Sequence, residues 1–230
     1  MSKKKVVVIS LGGSLIIPNG IHVDFLAKFK KVINKNKKHY KFVIVCGGGN
    51  LARKYISALG KINLSNKLKS LAGISATRTN ARFMSYFFNL EPSKGIPHQI
   101  KSIKKYLKKQ DIVFCGALEY KPDQTSDSTA AEVANYFNAN FINLTNVDGL
   151  FNKNPLKYKN AKFIQKISWK DFNKLVNRIK FKPGQHFVLD QNAAKIILEN
   201  KIDTYILGRN LRNLDNLLKG KKFKGTTISG

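Results

Sequence analysis

Acidic residues are scarce in this chain. Only 13 Asp and Glu stand against 42 Lys and Arg in 230 residues, a formal net charge of +29. That shortage excludes an acidic solvating tail and makes any carboxylate beside a motif conspicuous. Cysteine is nearly absent as well. Cys46 and Cys115 are the only two; each closes an apolar run, so a disulfide scaffold is excluded and both read as small core residues. No apolar run reaches the roughly 18 residues of a membrane helix. Residues 1–5 are basic, but the apolar stretch after them, 6–11, is too short for a signal-peptide core and reads as a first strand. No internal repeat or low-complexity linker interrupts the chain. A content of 43% hydrophobic residues is enough for a real core, and the length suits one α/β domain.

Arginine is rare within the positive charge: only positions 53, 78, 82, 178, 209 and 212 carry it. Lysine runs at 35–41, 101–109 and 219–224 fall on predicted helix faces or in loops. One reading is a polyanionic partner such as nucleic acid. The other is compositional bias, since Lys is enriched together with Asn, Ile and Phe. Bias is preferred, because nucleic-acid binding leaves the glycine motifs below unexplained. A positive field attracts anionic nucleotides whatever its origin.

Periodicity predicts strands at Lys5–Leu11, 41–46, 111–117, 140–145, 203–207 and 226–229, mostly β-branched runs of the kind buried on both faces. Helical spacing is predicted at 25–33, 51–59, 96–110, 127–137, 169–179, 192–200 and 211–219. A long helical stretch, 64–90, is broken at Ala72-Gly73, and 152–162 reads as loop. Strand, glycine turn and helix alternate from the start, the signature of a parallel sheet with crossover helices.

Five motifs carry candidate chemistry, each with a structural alternative. Gly12-Gly13-Ser14 follows a strand and lets backbone N–H groups approach a phosphate, or serves a purely steric turn. Gly47-Gly48-Gly49-Asn50-Leu51-Ala52-Arg53 holds three consecutive glycines, costly in backbone entropy and better explained by a closely approaching anion than by a plain turn. Arg53, one turn into the helix, can grip a phosphate bidentately or lie free on the surface. Asp127, in Thr125-Ser126-Asp127-Ser128-Thr129, is either a helix cap or an organiser of phosphate-binding groups. Thr145-Asn146-Val147-Asp148-Gly149-Leu150-Phe151, with Asn154-Pro155 beyond, is a turn or the wall of a nucleotide pocket at the carboxyl end of the sheet. Lys195 lies among Ala and Ile in residues 190–197; it snorkels outward or points at an anion.

In order, these segments, with ATRTNA at 76–81 and GTTI at 225–228, resemble the amino-acid-kinase superfamily along nearly the whole chain, and within it the archaeal-type uridylate kinases. The resemblance implies a three-layer αβα sandwich around an open, mostly parallel sheet. It also implies one domain over residues 1–230, with an acceptor half to about 117 and an ATP-binding half from about 118. The implied activity is transfer of the ATP γ-phosphoryl group, with Mg²⁺, onto a nucleoside monophosphate, most simply UMP, in the cytoplasm and in a homo-oligomer, a hexamer by analogy. Gly12, Gly13 and Ser14 would lie along the transferring phosphates. Gly48, Gly49, Arg53, Ser70, Thr125 and Ser126 would serve the acceptor, while Thr145, Asn146, Asp148, Gly149, Phe151 and Asn154 would line the ATP side. Asp127, Lys195 and Arg53 would carry the chemistry. Departures from the family pattern are Ser10 for a frequent Lys, Ser70 for an Asp, the longer loop at 119–124, and Asn154-Pro155 for Asp-Pro.

Overall fold

A computed structural model describes residues 4–91, 95–122, 124–153, 155, 158–178 and 188–230. Nine strands and nine helices are assigned among them. The strands are β1 (Lys5–Leu11), β2 (Tyr40–Cys46), β3 (Ile112–Cys115), β4 (Asn140–Leu144), β5 (Leu150–Phe151), β6 (Phe163–Ile164), β7 (Lys166–Ile167), β8 (Thr204–Leu207) and β9 (Thr226–Ile228). The helices are α1 (Gly13–Ile16), α2 (Val23–Asn36), α3 (Gly49–Lys61), α4 (Asn66–Phe87), α5 (Ile100–Lys109), α6 (Ser126–Phe137), α7 (Trp169–Asn177), α8 (Gln191–Glu199) and α9 (Leu211–Leu218).

Seven strands form one sheet in the order β3-β2-β1-β4-β8-β9-β7. Strands β3, β2, β1, β4 and β8 run parallel; β9 is antiparallel to β8, and β7 follows β9. The pleat sorts each central strand between two cores. Val7, Ile9 and Leu11 of β1, with Phe42, Ile44 and Cys46 of β2, pack under α2, α9 and the second half of α4. Val8, Val43, Val45 and Phe141 face α5, α6, α7 and α8 on the other side. Buried on both faces, these strands lose the polar alternation of a surface sheet, and this is why they read as continuous apolar runs. The result is a three-layer αβα sandwich. Among the described residues, no helix is long and apolar enough to cross a membrane.

Four expectations change. Gly12–Ser14 is not only a turn, because a four-residue helix begins at Gly13. The break at Ala72-Gly73 is absent: α4 runs unbroken for 22 residues. A Cβ on Gly73 would meet only Ile56 Cδ1 of α3, at 3.4 Å, an ordinary contact, so the packing there does not itself demand a glycine. The helix predicted from 96 starts at Ile100. The loop expected at 152–162 stands: its described residues carry no helix or strand and lie between the antiparallel strands β5 and β6. The helix predicted to 179 ends at Asn177 within the described residues.

The chain visits β1, β2 and β3 on one side and then crosses to β4 on the other. This reversal beside β1 is the topological switch point at which open α/β sheets bind ligands, outside the carboxyl ends of the strands.

Candidate active site

Two glycine turns meet at that switch point. Gly12, after β1, donates its N–H to Leu144 O at the end of β4, at 3.0 Å, and Gly47 N donates to Leu11 O at 2.9 Å. The turns interlock. A Cβ on Gly13 would lie 2.0 Å from Gly49 N, and one on Gly47 would lie 2.5 Å from Gly13 N. Gly49 also has φ +59°, in the left-handed region that favours glycine. The space that a side chain would need at these positions is therefore filled by the opposite turn's main chain. The glycine run is explained by backbone lying on backbone as well as by any anion.

Helix α4 braces this arrangement from below. Asn80 Nδ2 donates to Gly47 O at 2.7 Å and to Gly48 O at 3.2 Å. Thr77 Oγ1 accepts from Ala117 N at 2.9 Å, and Arg78 donates to the carbonyls of Ala117 and Leu118. Burial lowers the Arg78 pKa from its ordinary value. The sequence pattern flagged 76–81 only as a motif; the polar residues on successive positions of a largely buried helix face were the available signal.

On the other face lies a cluster of hydroxyls and carboxylates. Thr125 caps α6, accepting from Asp127 N at 3.1 Å. Ser10, fully buried in β1, donates to Asp127 Oδ1 at 2.6 Å. Asp190 caps α8 and accepts from Ala193 N at 2.8 Å, from Ser128 Oγ at 2.8 Å and from the Thr125 hydroxyl. Asp190 therefore fastens the first turns of α6 and α8 together, beyond the capping role that its sequence position indicates. Asp127 is itself both a first-turn helix residue and a member of this cluster. Its residue surface is half-buried, but its carboxyl is packed in protein, and that desolvation, aided by the nearby Asp190 charge and opposed by the Ser10 hydrogen bond, raises its pKa to about 7.

Beyond β4, Thr145 N donates to Leu207 O at 2.9 Å, and Thr145 Oγ1 donates to Asn146 Oδ1 at 3.4 Å. Asp148 accepts from Lys224 Nζ at 2.6 Å, an exposed pair. Gly149, at φ +153°, has no room for a Cβ, which would lie 2.7 Å from Thr226 Oγ1 and from Phe163 Cε2. Phe151 and Phe163 meet edge to face, with centroids 5.4 Å apart. These contacts seat the 145–151 turn against the end of β9.

Other sequence-predicted residues lie outside these contacts. Ser14 and Ser126 are half-buried in the first turns of α1 and α6. Gly48 is the N-cap of α3. Arg53 is exposed on α3, where with Asn50, Lys54, Ser57, Lys61 and Ile62 it borders an open groove of about 590 Å³. Ser70 is exposed on α4. Lys195 is exposed on the second turn of α8, its ammonium 3.8 Å from Glu199 rather than in the carboxylate cluster. Asn154 lies outside the described residues. Among the described residues no group of three or more His, Cys, Asp and Glu side chains gathers.

Residues 5–208 match the amino acid kinase family. A uridylate kinase from Pyrococcus abyssi (strain GE5 / Orsay) is 31% identical over 224 residues, covering 96% of this chain and 98% of its own. A uridylate kinase from Archaeoglobus fulgidus is 33% identical over 226 residues, covering 97% and 99%. The crystal structure of uridylate kinase from Archaeoglobus fulgidus superposes with a TM-score of 0.84, at 33% identity, over 98% of this chain and all of that one. UMP kinase from Ureaplasma parvum shares the fold, with a TM-score of 0.80 at 24% identity over the whole of both chains.

Proposed function

The chain belongs to the amino acid kinase family, and from that premise we propose that it is a nucleoside monophosphate kinase that converts UMP and ATP to UDP and ADP. The observation that carries this reading is the meeting of the two glycine turns with the Ser10–Asp127–Asp190 cluster at the carboxyl ends of β1, β2 and β4, in a chain about as long as the uridylate kinases it resembles. ATP enters as its magnesium complex, so the metal comes with the substrate.

In this reading an oxygen of the UMP phosphate attacks the γ-phosphorus of ATP in line, and the bond to the ADP oxygen breaks. The acceptor is already anionic, so the protein supplies position and charge more than a base. The Gly12, Gly13 and Ser14 turn lies along the transferring phosphates. Gly48, Gly49 and Arg53 hold the acceptor phosphate, with Thr125 and Ser126 beside it and Ser70 toward the acceptor's sugar. Thr145, Asn146, Asp148, Gly149 and Phe151 line the ATP side, the chain thus dividing into an acceptor half to about residue 117 and an ATP half after it. Asp127 organises the site between them. Lys195 takes part by leaving Glu199, which costs little because exposed ion pairs contribute at most about 1 kcal/mol.

The setting is the cytoplasm, where both substrates occur, and the product feeds pyrimidine nucleotide synthesis. A homo-oligomer, a hexamer by analogy, is supported by the apolar residues Tyr55, Ile56, Ile62, Leu68 and Leu71, exposed on α3 and α4 and the link between them. The direct test is ADP release from MgATP with UMP, CMP, AMP, GMP and small phosphate monoesters in parallel. UMP should be strongly preferred. Equal rates with every acceptor, or ADP release independent of any, would defeat the proposal.

A further inference from the structure

Ser10 interrupts an otherwise apolar strand. It points with Val8 toward the face covered by α6 and α8, and it has no exposed surface. A hydroxyl placed there is unfavourable unless it is bonded, and its acceptor is Asp127 Oδ1 at 2.6 Å. Directly across the strand pair, in register with Ser10, stands Asn143 of β4, also buried. Its amide donates to Val188 O on the segment that enters α8. The two central strands thus carry one polar row, at the same level of the sheet, and each member ties down the entry to a different helix of the carboxylate cluster.

We propose that Ser10 is a positioning residue for phosphoryl transfer: its hydroxyl fixes one oxygen of Asp127 so that the carboxyl keeps a single orientation at the switch point. The inference rests on the reading of Asp127 as organiser of the transfer site. Of the elements packed against α6, namely β1, β2, β4 and α8, only α8 brings a charged group to bear on Asp127 among the described residues: Asp190, at its N-cap. Asp190 disfavours the charged carboxylate and Ser10 favours it, so loss of the hydroxyl has a definite direction.

The experiment compares wild type, Ser10→Ala, Ser10→Thr, Asp127→Asn and the Ser10→Ala/Asp127→Asn double variant by kcat and KM across pH 5.5–9. In parallel, the Asp127 carboxyl of the nucleotide-free protein is titrated by carbon-13 NMR. Ser10→Ala should lower kcat about tenfold with KM nearly unchanged, and should move the acid limb and the carboxyl midpoint up by roughly one pH unit. Ser10→Thr should restore both. In the Asp127→Asn background, Ser10→Ala should cost nothing further. An unmoved midpoint overturns the role of Ser10, whatever the wild type turns over, and so does an equal loss in both backgrounds. Absence of UMP-dependent turnover in the wild type overturns the proposed reaction instead. If Ser10→Ala does not fold, the near-isosteric but weaker donor Ser10→Cys should show the same directions, and an unmoved midpoint in it counts equally against the proposal.

Discussion

At the residue scale, Asp127 sets a pH dependence whose sign is fixed. Its carboxyl titrates near pH 7 in the folded chain and near 4 when unfolded. A carboxyl that binds its proton more tightly when folded favours folding below about pH 4, and this contribution is lost as pH rises through 7. Asp127→Asn should therefore be more resistant to urea than wild type at pH 8, with the difference closing toward pH 4, while UMP-dependent turnover falls at least tenfold. Equal urea midpoints at pH 8 would show that the carboxyl is not disfavoured there. Gly13→Ala makes a second case. Its methyl would enter the main chain of the opposite turn, so a loss of about 1–3 kcal/mol or more is expected by urea unfolding. Gly20→Ala, with nothing within 4 Å, should stay within about 0.5 kcal/mol of wild type. Sequence alone marked Asp127 and the glycines but assigned the glycine run to an anion. It could not place Gly13 against Gly49, because the two come together only when β1 and β2 pair.

Among the elements, the largely apolar runs of β1, β2, β3 and β4 were legible because burial on both faces leaves few polar gaps in them, Ser10 and Asn143 being the buried exceptions in β1 and β4. The two-residue strands β5, β6 and β7 were not, since so short a segment carries no period. Helix α4 misled in another way. Glycine costs a helix about 1 kcal/mol, which argues for a break at Gly73, but one such local cost is small beside the packing of a 22-residue helix on α3 and the sheet. The same helix supplies a prediction. Asn80→Ala would strip the donor from the carbonyls of Gly47 and Gly48 in a buried setting, for about 1–3 kcal/mol of stability and a raised KM for UMP. Asp190 belongs to this scale too. As a cap it is visible in sequence; as the joint between α6 and α8 it depends on folding that brings residues 125 and 190 together. Asp190→Ala should cost about 1–3 kcal/mol in urea unfolding, more than an isolated exposed cap.

For the whole molecule, the charge of +29 is a load on the folded state. Adding sodium chloride from about 0.05 to 0.3 M should raise the thermal midpoint by screening lysine against lysine. The same salt should raise KM for both anionic substrates as the attracting field weakens. A midpoint that falls with salt would show that the scattered ion pairs outweigh the repulsion. The apolar residues exposed on α3 and α4 belong to this scale as well: sedimentation should find an assembly larger than one chain, and Ile56→Glu should shift it toward single chains.

The interlocked glycine turns have one further consequence. Where they touch, the spacing between the turns after β1 and β2 is dictated by covalent main chain, with no side chain to act as a shim. If those turns seat donor and acceptor as proposed, a replacement such as Ser70 can retune how a guest is gripped yet leave the gauge between the two untouched, and a lineage can explore new acceptors without having to re-machine the track on which the phosphoryl group travels.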